Sequence, residues 1–207
     1  MKLDYRRTVL VGLAFMSICT FWQVYDAIVP LILKDSFHVN DALAGAVMAA
    51  DNVLALFLLP LFGMLSDRSH TRLGRRMPFI IFGTTASAAL ALLLPVADNM
   101  RSLPFFIVAL GLVLVSMASY RSPAVALMPD VTPKPLRSRA NAVINLMGAA
   151  GGMLSLLLIA VLVPKENPDY TYLFASVSVI MALCLLVLFR TTKEPALAQK
   201  ARAESQA

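Results

Sequence analysis

Six apolar runs, each long enough to cross a lipid bilayer and parted only by short polar breaks, decide what this chain can fold into. They cover roughly residues 8–33, 42–65, 78–96, 104–128, 140–163 and 172–189. A spanning helix needs about 20 apolar residues, because each residue advances the helix by only ~1.5 Å. The runs are continuous rather than alternating, which excludes a membrane β-barrel. The expected fold is an all-α membrane protein whose six transmembrane helices fill residues 1–190. Residues 191–207, polar and Ala-rich, read as a cytoplasmic tail or the start of a linker. Composition agrees: 59% of the 207 residues are hydrophobic and 14% charged. A soluble domain is about 45–50% apolar and about 25% charged, so an ordinary soluble enzyme is excluded.

The basic N-terminus before an apolar run suggests a signal peptide, but the run is far longer than the ~7–15 residues of a signal core. It reads as an uncleaved first helix. The net charge of +6 does not mark a nucleic-acid binder, because its distribution is one-sided. Fourteen of the 18 Lys and Arg residues lie at the N-terminus (Lys2, Arg6, Arg7), in the second–third and fourth–fifth loops, or in the tail. Only Lys34, Arg101 and Lys165 fall on the other side, and Arg121 lies within a span. The positive-inside rule then puts both termini in the cytoplasm. The expected location is a plasma membrane, the inner membrane if the source is bacterial.

Asp26, Asp51 and Arg121 are the charges within the spans. Each is costly in lipid and is expected to face a cavity or a partner. Counted from the nearest span end, Asp26 lies about 10 Å deep and Asp51 about 14 Å, so the two carboxylates share a level. A buried carboxylate that gains and loses a proton could couple transport to a proton gradient. Trp22, Gln23 and Asp26 share a helix face at spacings of three and four. With Tyr25 they offer an aromatic surface and polar groups suited to a sugar. Arg121, and Asn141 and Asn145 one turn apart on the fifth span, complete the expected substrate-binding set. Gly148 and Gly152 stand at the spacing that lets helices approach closely. Pro30, Pro60 and Pro123 are expected to interrupt their spans. The first span carries Tyr25-Asp26 near its exit and the fourth carries Tyr120-Arg121, which suggests a three-plus-three inverted repeat.

No catalytic centre, metal site or cofactor is expected. His38 and His70 lie in loops, no His-Glu-x-x-His pair exists, and Cys19 and Cys184 sit singly in apolar runs.

The second–third loop reads Gly63-Met64-Leu65-Ser66-Asp67-Arg68, continues through Arg72 and Gly74-Arg75-Arg76, and closes on Pro78-Phe79. This resembles the signature loop of the major facilitator superfamily. Its longer spacing is similar to the glycoside–pentoside–hexuronide:cation symporter branch and the sucrose transporters. Arg121-Ser122-Pro123, Pro129-Asp130, Arg137-Ser138 and Ala140-Asn141 resemble the fourth–fifth helix region of the same branch. The resemblance implies an N-terminal six-helix half, and transport of a sugar or glycoside by alternating access. It implies a gating lattice of Gly63, Asp67, Arg68, Arg72, Gly74, Arg75, Arg76 and Asp130 that latches the cytoplasmic face. It also implies a partner: a second six-helix half, or a second copy of this chain. Melibiose-type sodium symporters carry paired acids just before the Pro-x-x-Gly step. Here Pro60-Leu61-Phe62-Gly63 is preceded by Ala55, Leu58 and Leu59, so the expected coupling ion is a proton rather than sodium. The alternative reading is a non-transporting assembly or regulatory subunit, or an inactive fragment of a longer transporter.

Overall fold

A computed structural model describes residues 3–164 and 168–206. Lys2 and Lys165, both counted in the charge asymmetry, lie outside the described residues. The described chain is helical throughout: α1 (Tyr5–Leu31), α2 (Asp41–Arg68), α3 (Met77–Ala91), α4 (Leu93–Asn99), α5 (Leu103–Val131), α6 (Arg137–Leu162), α7 (Thr171–Thr191) and α8 (Glu194–Gln206). A π turn, Ile32–Ser36, extends α1, and a 3₁₀ turn, Lys134–Leu136, leads into α6. Six of these rods are long and apolar enough to cross a membrane, with α3 and α4 together forming the third.

Local chemistry sets the helix ends. The side chain of Asp4 accepts from the Arg7 N–H at 3.1 Å, and that of Asn40 accepts from the Leu43 N–H at 2.8 Å. Each satisfies one of the donors a helix start leaves open. Pro78 and Pro104 sit in the first turns of α3 and α5, where a missing N–H costs nothing. Three internal prolines depart from expectation. Pro30, Pro60 and Pro123 lie inside unbroken helices. The break falls instead at Leu92, between α3 and α4. Pro95 explains it: a proline removes the hydrogen bond to the carbonyl four residues earlier, here Ala91, and its ring crowds that carbonyl.

Packing reveals the internal symmetry. The first span, α1, packs on the fifth (α6), the sixth (α7) and the fourth (α5); α5 packs on the second (α2) and on α3; α3 packs on α7. Exchanging the first span with the fourth, the second with the fifth and the third with the sixth maps this set of neighbours onto itself. That is the neighbour pattern an inverted three-plus-three repeat requires. The core lies around α1 and α5, where Phe21, Tyr25, Ile28, Phe106, Met117 and Tyr120 are buried. The second span is the least buried of the six.

Small residues set the closest approaches. A Cβ on Gly148 would lie 2.7 Å from the Phe15 ring, and one on Gly151 would lie 2.5 Å from the Met16 carbonyl. A Cβ on Gly152 meets only Gln23 Oε1, at 3.6 Å. The tight seam between α1 and α6 is therefore made by Gly148 and Gly151, not by the expected Gly148–Gly152 pair. Three residues advance the helix by close to one turn, so the seam keeps to one face. The last segment, read from the sequence as a tail or the start of a linker, carries the helix α8. Leu197, Ala198 and Ala201 lie on the covered side of α8, which packs on α5 and on the turn before α6.

Candidate functional site: a polar cleft and a charged lattice

A cleft of about 460 Å³ opens between α1 and α6. Trp22, Gln23 and Asp26 from α1 face Asn145, Gly148 and Gly152 from α6 across it. The shared face read from the sequence thus points into one cavity, with Asn145 opposite. Asp26 is exposed, and Gln23 and Trp22 are half-buried. Cys19 and Phe15, two residues outside the expected substrate-binding set, also line the cleft. The position of Cys19 one turn before Trp22 and Gln23 was the available signal.

Where α1 meets α2 and α5, Trp22, Asp51 and Arg121 line a separate crevice of only about 10 Å³. The guanidinium of Arg121 stands 5.1 Å from the centre of the Trp22 ring, a distance at which a cation is attracted to the ring face. No carboxylate lies within 4 Å of Arg121 among the described residues. Trp22 also meets Tyr25 edge-on at 5.0 Å. Three polar atoms here are buried and lack a hydrogen-bond partner among the described residues: Trp22 Nε1, Tyr25 Oη and Asp51 Oδ1. Buried polar groups are almost always satisfied, so this cluster stands ready for an additional partner. Tyr25 is buried in the core rather than lining the cleft, and Asn141 is exposed on α6 outside it.

The second site is the charged lattice on the face that carries both termini. Its centre is Arg76, only 6% exposed. Its guanidinium donates to Asp67, to Ser66 Oγ and, at 2.9 Å, to Asp130 Oδ2. Arg75 donates to the same Asp130 oxygen at 3.4 Å. Arg76 Nη1 also reaches the Gly63 carbonyl at 3.4 Å. Gly63 lets α2 approach α5 there, since a Cβ would lie 3.0 Å from Ser122 Oγ. Of the expected lattice, Gly63, Asp67, Arg75, Arg76 and Asp130 are brought together. Arg68 and Arg72 are not: both are exposed and make no ion pair among the described residues.

A residue outside the expected set completes the lattice. Glu194, 2% exposed, accepts from the backbone N–H groups of Arg75 at 2.8 Å, Arg76 at 3.1 Å and Met77 at 2.8 Å. The start of α3 has no side-chain cap of its own, and this carboxylate, 119 residues away from Arg75, supplies it. Negative charge is favourable at that position. Gly74 makes the approach possible: it has φ +116°, and a Cβ there would overlap the Glu194 carboxylate. A tight turn presents it, with Gly74 N–H donating to the Thr71 carbonyl at 3.1 Å. The only sequence signal for Glu194 was an acid followed by proline, a helix-start pattern.

No group of metal-ligating side chains large enough to hold an ion occurs among the described residues. No curated protein and no solved structure matches the chain. The family description Major Facilitator Superfamily matches residues 11–207, and the chain therefore belongs to that superfamily of membrane transporters.

Proposed function

We propose that this chain forms one wall of an alternating-access carrier for a sugar or glycoside, with proton coupling at Asp51 and Asp26. The observation that carries this reading is the α1–α6 cleft with its aromatic, amide and carboxylate lining. A pyranose ring stacks on an indole, and its hydroxyls pair with amides and carboxylates. The unpartnered atoms of Trp22, Tyr25 and Asp51 supply further hydrogen-bonding capacity. Arg121, held on the Trp22 ring with no carboxylate within ion-pair distance, supports a role in binding substrate or in pairing with Asp51 during the cycle. The lattice of Arg76, Asp67, Asp130 and Glu194 ties α2, α3, α5 and α8 at one end and acts as the cytoplasmic latch. Asp67, half of whose side chain remains exposed at 55%, is free to engage a second six-helix half, or a second copy, across the cavity. Both termini are assigned to the cytoplasm.

The test is uptake in proteoliposomes with an imposed proton gradient, using a panel of neutral mono- and disaccharides. The expected result is accumulation that Asp51→Asn abolishes while equilibrium exchange survives. Sodium-driven, pH-independent accumulation would contradict proton coupling. Uptake of none of the sugars, by the chain alone or joined to a second half, would contradict the substrate class.

A further inference from the structure

Two polar hollows lie side by side on the face that carries the termini, and their charges are balanced differently. One, about 110 Å³, has Asp4, Arg7, Lys200 and Glu204 among its lining residues. Each cation there has its own acid: Arg7 lies 3.9 Å from Asp4, and Lys200 lies 3.7 Å from Glu204. The other, about 210 Å³, is lined by Asp130, Thr132, Lys134, Arg137, Arg202 and Ser205. None of its three cations makes an ion pair among the described residues. Its one acid, Asp130, is already held by Arg75 and Arg76.

The positive hollow is also pre-shaped. Arg137 donates to the Pro129 carbonyl at 2.8 Å and to the Thr132 carbonyl at 3.4 Å, which holds its guanidinium in place. The Lys134 N–H donates to Ser205 Oγ at 3.2 Å, which ties the α8 wall to the turn before α6. The volume falls below the ~300 Å³ where drug-sized ligands begin, yet has room for a tetrahedral oxyanion. Three unpaired cations in one hollow repel one another, and an anion relieves that repulsion. Arg and Lys together give the directed donors and the point charge that phosphate recognition uses.

We propose that this hollow binds a phosphate group, presented either by an anionic phospholipid headgroup or by free inorganic phosphate. Its level favours the lipid, since it sits at the end of the spanning helix α5, where headgroups lie and basic pockets between helices select them. The inference rests on the membrane-spanning fold and is independent of the substrate.

The test uses the full chain in two preparations. In nanodiscs of phosphatidylcholine doped with phosphatidylglycerol, native mass spectrometry counts the phosphatidylglycerol that stays bound on release. In nanodiscs of phosphatidylcholine alone, the unfolding midpoint is compared in inorganic phosphate and in chloride of equal ionic strength. The variant Lys134→Gln/Arg202→Gln empties the hollow of two cations. The control Arg139→Gln/Arg190→Gln removes the same charge from exposed sites outside it. Loss of bound phosphatidylglycerol in the first variant but not the control supports a lipid phosphate. A phosphate-specific rise in midpoint that only the first variant loses supports free phosphate. Equal behaviour of the first variant and the unchanged protein in both preparations overturns the site, as does an equal loss in the control. Arg202 and Lys134 are exposed, so the first variant is expected to fold; Lys134→Gln alone gives a smaller loss in the same direction should it not.

Discussion

The cleft between α1 and α6 and the groove between α3 and α7 are two hollows along the flanks of this bundle, and they are chemical opposites. The groove, about 300 Å³, is lined by Ile81, Thr84, Ala88, Leu185, Leu186 and Phe189, with no charged residue. Outside it α7 exposes Val179, Leu183 and Val187, and α3 exposes Phe82. Such a surface is at home against acyl chains, where every exposed polar group would lose water. The cleft places Asp26, Gln23 and Asn145 at the same kind of helix surface. In hydrocarbon those groups would each cost several kcal/mol. The spans that carry α1 and α6 have mean hydropathies of 1.6 and 2.0, against 2.1 and 2.6 for those that carry α3 and α7. The polar side chains of the cleft concentrate that difference on one flank.

The comparison breaks most readily through Asp26, the carboxylate that lines the cleft. If the polar flank does the coupling, Asp26→Asn lowers proton-driven uptake by about a hundredfold, while Phe189→Ala in the apolar groove leaves the rate unchanged; transport assays in proteoliposomes compare the two. Comparable losses from both variants would erase the functional difference between the flanks.

The next largest effects lie at the bundle ends. The end that carries the termini is tied by the buried Glu194 carboxylate, and the opposite end by exposed hydrogen bonds from Arg101 to the Ser36 carbonyl and from Asn99 to Thr171. Glu194→Ala leaves three N–H groups of α3 without their acceptor and is expected to cost about 2 kcal/mol. Gly74→Ala forces an L side chain into a positive φ and against the Glu194 carboxylate, with a cost of about 2–3 kcal/mol. Because both act on one contact, the double variant should cost less than the sum, which denaturation in mild detergent can measure.

The seam below the cleft sharpens the contrast by one residue. Gly151→Ala pushes on the α1 backbone and should cost about 1–3 kcal/mol. Gly152→Ala faces the open cleft and should raise stability by about 0.5–1 kcal/mol through helix propensity. Thermal unfolding of the two variants separates them.

The smallest effect is expected at Asp169, outside the spans. Its carboxylate accepts from the Thr171 N–H at 2.8 Å, and hydrogen bonds from Thr171 hold its pKa below the ordinary value. A depressed carboxylate pKa adds stability above the unfolded-state pKa near 4 and gives it up as pH falls through the lower folded value. Asp169→Asn should therefore lose a small increment of stability at neutral pH and flatten the acid side of a stability profile. A profile unchanged by that substitution would remove the local tie.

Much of this architecture was legible because membranes impose long apolar runs and one-sided charge. The six spans and the grouping of Trp22, Gln23 and Asp26 followed from length and helical spacing. The Asp67–Arg76–Asp130 cluster was legible from the resemblance of the second–third loop and of the Pro129-Asp130 step to the superfamily's motifs. What escaped depends on contacts between distant segments. Glu194 looked like one charge in a solvated tail, since nothing local says that it will reach Arg75, Arg76 and Met77. The choice of Gly151 over Gly152 depends on how α1 and α6 are rotated about their axes. The break at Leu92 was readable from Pro95 but was masked by the unbroken apolar run around it.

Cysteine labelling gives the most direct test of the central contrast. Cys19 is half-buried and lines the polar cleft, whereas Cys184 is buried on α7 and does not line the apolar groove. The groove is sampled by Leu186→Cys, an exposed position that lines it. The measurement is the labelling rate, by a charged, membrane-impermeant maleimide in detergent-free nanodiscs, of two single-cysteine variants: Cys184→Ser, which keeps Cys19, and Cys19→Ser/Cys184→Ser/Leu186→Cys. The account predicts that Cys19 reacts at least about tenfold faster, since reactivity follows access. Equal rates, or faster labelling at position 186, would contradict a bundle with one polar flank and one apolar flank.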